Sequence, residues 1–191
     1  MKLIYTASQV REAEKPYIEA ADYDGYLMQR AADAVAAEAQ DLLRGKDNAK
    51  ILLLIGPGNN GADTIYAGAR LSAKGHRVDA VIFDSSEKNL ELIAREGGEG
   101  TRVLDPEHTH EQLAGYDLTI DGILGTGSSG AVRGSAGEYL GVLRAAQLDG
   151  KLGAVLAVDT PSGVDNNRGT VHEPSLRADR TVTFILSLIH I

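Results

Sequence analysis

The stretch ILLLIGPGNNGAD, residues 51 to 63, decides the fold. Its apolar run, Ile51 to Ile55, ends in Gly56-Pro57-Gly58, and Asn59, Asn60, Gly61, Ala62 and Asp63 follow. An unbroken apolar run of this length marks a strand buried on both faces, as in a parallel sheet. A glycine-rich turn that opens a helix offers backbone N–H groups and the helix dipole to an anion. No Gly-Lys-Ser/Thr follows this turn as in a P-loop. Its unusual feature is the asparagine pair. Each carries a neutral carbonyl oxygen that suits a hard cation and an amide that suits a ligand carbonyl or hydroxyl. The same residues also fit left-handed turn positions and helix caps.

Outward from this stretch the pattern alternates. A helix is expected over 64–74, a strand over 78–83, a helix over 87–95, a short strand over 102–104 and a helix over 107–114. Then come a strand over 117–124, a helix over 138–146, and strands over 153–159 and 180–184. Before it, Ser8 is placed to cap a helix beginning QVREAEK, and Leu27, Ala31, Val35, Ala39 and Leu42 recur at helical spacing. Strands alternating with helices imply βαβ units and a parallel sheet covered on both faces. The expectation is one domain: a helical lead-in over 1–48, an α/β core over 49–184 and a short apolar tail over 185–191.

The chain of 191 residues suits a single domain. Its net charge of −8, with no Lys/Arg cluster, excludes an electrostatic grip on nucleic acid. With no cysteine, disulfides, thiolate metal sites and cysteine nucleophiles are excluded. No apolar run approaches the roughly 20 residues that span a bilayer, and the N-terminal apolar segment is too short for a signal peptide. No membrane partner and a cytoplasmic location are expected. The histidines His76, His108, His110, His172 and His190 are scattered and expected mostly at the surface. There is no G-x-S-x-G elbow.

Ligands in such sheets bind beyond the carboxyl ends of the strands, where strand order reverses. Three polar, glycine-rich segments fall there: GPGNNGAD, then Asp121 followed by GILGTGSSG, then Asp159 followed by TPSGVD. Gly125 to Gly130, with the hydroxyls of Thr126, Ser128 and Ser129, reads either as a phosphate wrap or as a flexible loop. Asp159 at a strand tip can act as a base, hold a ribose hydroxyl or cap the next turn. Asn60, Asp121 and Ser162 offer one oxygen each. A single carboxylate among neutral oxygens suits a weakly charged ion such as potassium, whereas transition metals prefer imidazole or thiolate.

In series, GYLMQRAADAVA (25–36), GPGNNGAD, DGILGTGSSGAVRG (121–134) and AVDTPSGVDNNRGTV (157–171), followed by ADRTVTF (178–184), resemble the YjeF N-terminal domain family, the NAD(P)H-hydrate epimerases. The resemblance covers nearly the whole chain. It implies a three-layer α/β/α Rossmann-like sandwich with a mostly parallel sheet, commonly a homodimer. It implies interconversion of the R and S forms of NADHX and NADPHX, coupled to an ADP- or ATP-dependent dehydratase that is often fused to this domain. By motif position, Asn60, Asp121 and Ser162 would hold K+. Asn59, Asn60, Gly61, Ala62, Asp63, Gly125, Thr126, Gly127, Ser128, Ser129, Gly130, Ala131 and Asp159 would line the dinucleotide. Asp159 is the first candidate for general acid/base and Asp63 the second.

Two features depart from the family pattern. Where it reads N-N-G-G-D-G, this chain has Ala62 and Thr64. Ala62 adds a Cβ where the backbone would approach a phosphate or take positive φ. Thr64 adds a β-branched side chain whose hydroxyl could donate to a phosphate. Both leave room for the alternative of a non-catalytic module that binds an NAD-like or ADP-ribose-like ligand. The tail ILSLIHI does not resemble the family's continuation and reads as truncated or non-native. An ordinary NAD-dependent oxidoreductase is disfavoured because the acid that usually closes the second strand is approximated only by Asp84.

Overall fold

A computed structural model describes residues 7–20, 25–83, 87–98, 100–106, 113 and 115–184. The helix expected over 107–114 and the tail 185–191 lie outside the described residues, but for Leu113 in the helix. The elements in chain order are α1 (Ala7–Ile18), α2 (Tyr26–Leu43), β1 (Lys50–Ile55), α3 (Asn59–Ala73), β2 (Arg77–Ile82) and α4 (Glu87–Glu96). They continue with β3 (Thr101–Val103), β4 (Leu118–Gly122), α5 (Gly134–Leu148), β5 (Ala154–Val158), β6 (Val164–Asp165), β7 (Thr170–Val171) and β8 (Arg180–Val182).

Six strands form one sheet in the order β3-β2-β1-β4-β5-β8, and every pairing in it is parallel. The chain runs outward from β1 to β3, then returns to lay β4 on the other side of β1. The reversal therefore lies between β1 and β4, with Leu54 opposite Asp121 and Ile55 opposite Gly122.

The apolar run of β1 is continuous because both its faces are covered. Ile51, Leu53 and Ile55 join Val35, Ala39, Ile65 and Leu71 in a core under α2 and α3. Leu52 and Leu54 join Tyr139, Leu140 and Leu143 of α5 in a second core. Truncating a fully buried Leu of this kind to Ala costs about 2–5 kcal/mol. Small residues permit close approach. Ala32, Ala36 and Ala39 are buried on α2, which packs on α3. Gly68 lets α3 lie on β1, since a methyl group there would stand 2.4 Å from Leu53 Cδ1.

Several boundaries differ from the sequence expectation. Helix α1 starts at Ala7, so Ser8 lies inside its first turn rather than ahead of it. Helix α3 begins at Asn59, not Thr64, because extended Gly58 (φ −91, ψ −169) is the N-cap and its carbonyl takes the N–H groups of Gly61 and Ala62. Poor helix propensity in Asn-Asn-Gly is overridden by packing. Strand β4 stops at Gly122 because side chains take the next N–H groups: Ile123 N–H donates to Asp121 and Leu124 N–H to Ser162. Helix α5 begins at Gly134, ahead of the expected Glu138. An antiparallel β6–β7 ribbon, not anticipated, follows the β5 loop. His76 is buried rather than at the surface.

Candidate active site

The loops after β1, β4 and β5 converge at the reversal in strand order. Glycines set how closely they approach. A methyl group on Gly56 would stand 1.9 Å from the Ile123 carbonyl oxygen, and one on Gly61 would stand 2.0 Å from the Gly56 carbonyl oxygen. One on Gly125 would stand 2.7 Å from Asn60 Oδ1. These glycines serve chain-to-chain contact as well as turning.

Asn60 is 9% exposed in the first turn of α3. Its Nδ2 donates to the Val158 carbonyl at 2.7 Å, across 98 positions of sequence. That bond fixes the carboxamide flat against Gly125. Neither Asn59 nor Asn60 has positive φ, so the left-handed-turn reading of the pair does not hold. Because Gly58 accepts from Gly61 and Ala62, the N–H groups of Asn59 and Asn60 remain without a backbone acceptor among the described residues. The leading turn of α3 can therefore receive an anion.

Asp121 ends β4 with no exposure to solvent. Its Oδ1 accepts from Ser162 Oγ at 2.6 Å and from Ile123 N at 3.3 Å, and its Oδ2 accepts from Ser162 N at 2.8 Å. Ser162 Oγ in turn accepts from Leu124 N at 3.0 Å. Burial pushes the Asp121 carboxyl above the ordinary carboxylate range, and the Ser162 and Ile123 donors oppose this. No Lys, Arg or His pairs with it among the described residues. A buried carboxylate held only by neutral donors is a costly arrangement that a cation or a proton relieves. Ser162 Oγ stands against this carboxylate and Asn60 Oδ1 faces Gly125 of the adjoining loop; as oxygen types the three suit a hard, weakly charged cation.

Asp159, half-buried at the tip of β5, has φ +66, which is strained for a residue other than glycine. Its Oδ2 accepts from Thr126 N at 2.7 Å, and its Oδ1 accepts from Thr183 Oγ1 at 3.5 Å. Thr126 thus aims the carboxylate from the opposite loop. Ser128 Oγ donates to the Gly125 carbonyl at 2.7 Å, so this hydroxyl shapes its own loop. Gly127 and Ser129 are exposed, and Gly130 (φ +85) and Ala131 are half-buried. Asp63 is 6% exposed within α3 and held by an internal interaction, which puts it in a poorer position than Asp159 to exchange protons with a ligand.

The two loop substitutions, Ala62 and Thr64, read differently in three dimensions. Ala62 is helical and carries no positive φ, so the anticipated strain is absent. Thr64 is fully buried, and its hydroxyl donates to the Asn60 carbonyl at 2.7 Å rather than facing a phosphate.

One residue escaped the sequence reading. Asn89 of α4 is buried and donates from Nδ2 to the Gly56 carbonyl at 2.8 Å, which tethers the β1 loop. Its signal was present: Asn89 shares a helical face with Leu92 and Ile93, and a polar residue on an apolar stripe needs an internal partner.

Comparison with known proteins identifies the family. The family model described as YjeF-related protein N-terminus matches residues 25–189. An NAD(P)H-hydrate epimerase of Microbacterium testaceum is 38% identical over 183 residues, covering 94% of this chain and 68% of that protein. The bifunctional NAD(P)H-hydrate repair enzyme Nnr of Mycobacterium tuberculosis is 31% identical over 188 residues, and the match spans 96% of this chain but only 37% of that protein. The solved structure of yeast ynu0 superposes with a TM-score of 0.76 at 20% identity, covering 95% of this chain and 80% of that one, which is a likeness of fold. The chain belongs to the family of YjeF-related protein N-termini.

Proposed function

We propose that the chain is an NAD(P)H-hydrate epimerase, an isomerase that interconverts the R and S forms of NADHX and NADPHX. The observation that carries this reading is the meeting of Asn60, the Asp121–Ser162 pair and Asp159 at the reversal between β1 and β4. The Microbacterium testaceum epimerase, at 38% identity, supports it.

Epimerisation requires the hydroxyl on the hydrated carbon to leave and return on the other face, or the ring to open and close. Either route moves a proton at that carbon's oxygen. In the first route the Asp159 carboxyl passes a proton to the hydroxyl as the C–O bond breaks, so that water departs and the positive charge remains on the ring. Water then adds to the opposite face of the cationic ring and loses one proton, which reaches the carboxylate through solvent, so atoms and charge balance. The Thr126 N–H keeps the carboxylate oriented throughout. The N–H groups at the start of α3 receive a phosphate of the dinucleotide. Asn60, Asp121 and Ser162 hold K+, which supplies a fixed positive charge beside the buried carboxylate.

The same reading places the protein in the cytoplasm as a homodimer, coupled to an ADP- or ATP-dependent dehydratase. The bifunctional name of the Mycobacterium tuberculosis relative supports the coupling. The alternative of a binding module without turnover drew on Ala62 and Thr64; Ala62 is helical without positive φ, and the Thr64 hydroxyl is turned to the Asn60 carbonyl.

A mixture of R and S NADPHX, supplied with an S-specific dehydratase, tests the proposal through recovery of NADPH. The epimerase reading expects faster consumption of the R form when this protein is present. Binding without acceleration beyond the spontaneous rate would identify the module instead.

A further inference from the structure

Thr64 and Gly122 fit each other in size. Thr64 is fully buried in the second turn of α3. A methyl group on Gly122 would stand 1.9 Å from Thr64 Oγ1, 2.9 Å from its Cβ and 3.0 Å from the Asn60 carbonyl oxygen. The Thr64 side chain therefore occupies the space that any side chain at 122 would need. Thr64 Oγ1 also donates to the Asn60 carbonyl at 2.7 Å. Gly122 directly follows Asp121, and its carbonyl accepts from Gly56 N at 3.2 Å. The contact thus joins the first turns of α3 to the carboxyl end of β4, between Asn60 and Asp121.

We propose that Thr64, seated on Gly122, is a positioning residue that sets the spacing between Asn60 and the Asp121–Ser162 pair. Thr64 faces Gly122 and the Asn60 carbonyl. It acts by shape on Gly122 and by its hydroxyl on the Asn60 backbone. Sequence position alone gives no reason to link residues 58 positions apart, and the linkage makes Thr64 a matched part of the site rather than a defect in it. This inference rests on the reading of Asn60, Asp121 and Ser162 as cation ligands.

The test uses thermal melting in K+ against Na+, with kcat and KM for the epimerisation, on Thr64→Ser, Thr64→Val, Gly122→Ala and Thr64→Gly/Gly122→Ala. Gly122→Ala alone should melt well below wild type, and the double variant should regain part of the loss, because the contacts with the Thr64 side chain are removed while that with the Asn60 carbonyl stays. Thr64→Ser, which keeps the hydroxyl, should keep the wild-type K+ half-saturation. Thr64→Val keeps the shape but not the hydrogen bond, and should raise that half-saturation about five- to tenfold, the scale of one such bond.

The inference fails if Gly122→Ala melts like wild type with Thr64 intact, or if the double variant is no better than Gly122→Ala. It also fails if Thr64→Val responds to K+ as wild type does. A wild-type protein that melts identically in K+ and Na+ overturns the cation reading itself. Rescue in the double variant then judges the size match separately.

Discussion

Two buried aspartates share one face of the sheet, and their surroundings differ. Asp79 on β2 is 1% exposed and lies opposite Leu52, while Asp121 on β4 is 0% exposed and lies opposite Leu54. Asp79 is compensated by charge. Arg102 donates from Nε at 2.8 Å and from Nη2 at 3.0 Å, Tyr116 donates its hydroxyl at 2.7 Å, and Lys50 Nζ stands 4.0 Å away over the Tyr116 ring. Among the described residues Asp121 has only the Ser162 hydroxyl and the N–H groups of Ser162 and Ile123. The acid in the amino half of the sheet closes its electrostatics within the protein. The acid at the carboxyl end does not, which is the state expected of a group that completes itself with a ligand.

The sharpest way to break this contrast lies at the carboxyl end. Asp159→Asn should lower kcat by about 10²–10⁴-fold, the usual contribution of a general acid/base. Near-wild-type turnover in a folded variant would remove Asp159 from the mechanism. Next in size, Asp121→Ala should abolish any preference of the melting temperature for K+ over Na+. A retained preference would move the cation elsewhere.

Asp79→Ala should behave in the opposite manner. It strands the buried Tyr116 hydroxyl and should cost about 1–3 kcal/mol in urea denaturation. Turnover per folded molecule and the K+ response should not change. A changed K+ response in this variant would show the two ends of the sheet to be coupled.

The smallest effect is on pH dependence at the amino end. His76 is buried, its Nδ1 accepts from Ala49 N at 3.2 Å, and it lies against Gln40. Burial is the first cause holding its pKa below the ordinary 6.5; Lys74 acts in the same direction, and Asp47 and Asp117 oppose. The folded state thus disfavours the protonated form. Its contribution to stability is complete above pH 6.5 and is lost as pH falls from there through the folded-state pKa. His76→Gln should flatten this loss between neutral and mildly acidic pH, as read from urea midpoints. An unchanged slope would assign the acid sensitivity to another group.

Much of the site was legible because its parts sit where strand meets loop. ILLLI followed by glycines, DLTID followed by glycines, and AVLAV followed by Asp159 each show an apolar run ending in a polar group. Where helices began was less legible. Asn59, Asn60 and Gly61 read as turn by propensity but are held helical by Gly58 and by packing on β4 and β5. Thr64 read as a ligand-facing hydroxyl, yet Gly122, distant in sequence, gives it a buried seat. Asn89 went unread because its partner is a backbone carbonyl 33 positions away.

The sequence by itself determined the class of fold, through apolar periods that alternate between strand and helix, and the three loops that could carry chemistry. It also determined the oxygen types on offer, one carboxylate and two neutral groups, since these follow from residue identity. Only the tertiary structure decided which acid is compensated and which is left to neutral donors, because that depends on Arg102 and Tyr116 reaching Asp79 while no cation among the described residues reaches Asp121. It also decided that Ala62 is unstrained and that Thr64 belongs to Gly122. Backbone dihedrals and contacts between distant segments are set by packing, which local sequence does not encode.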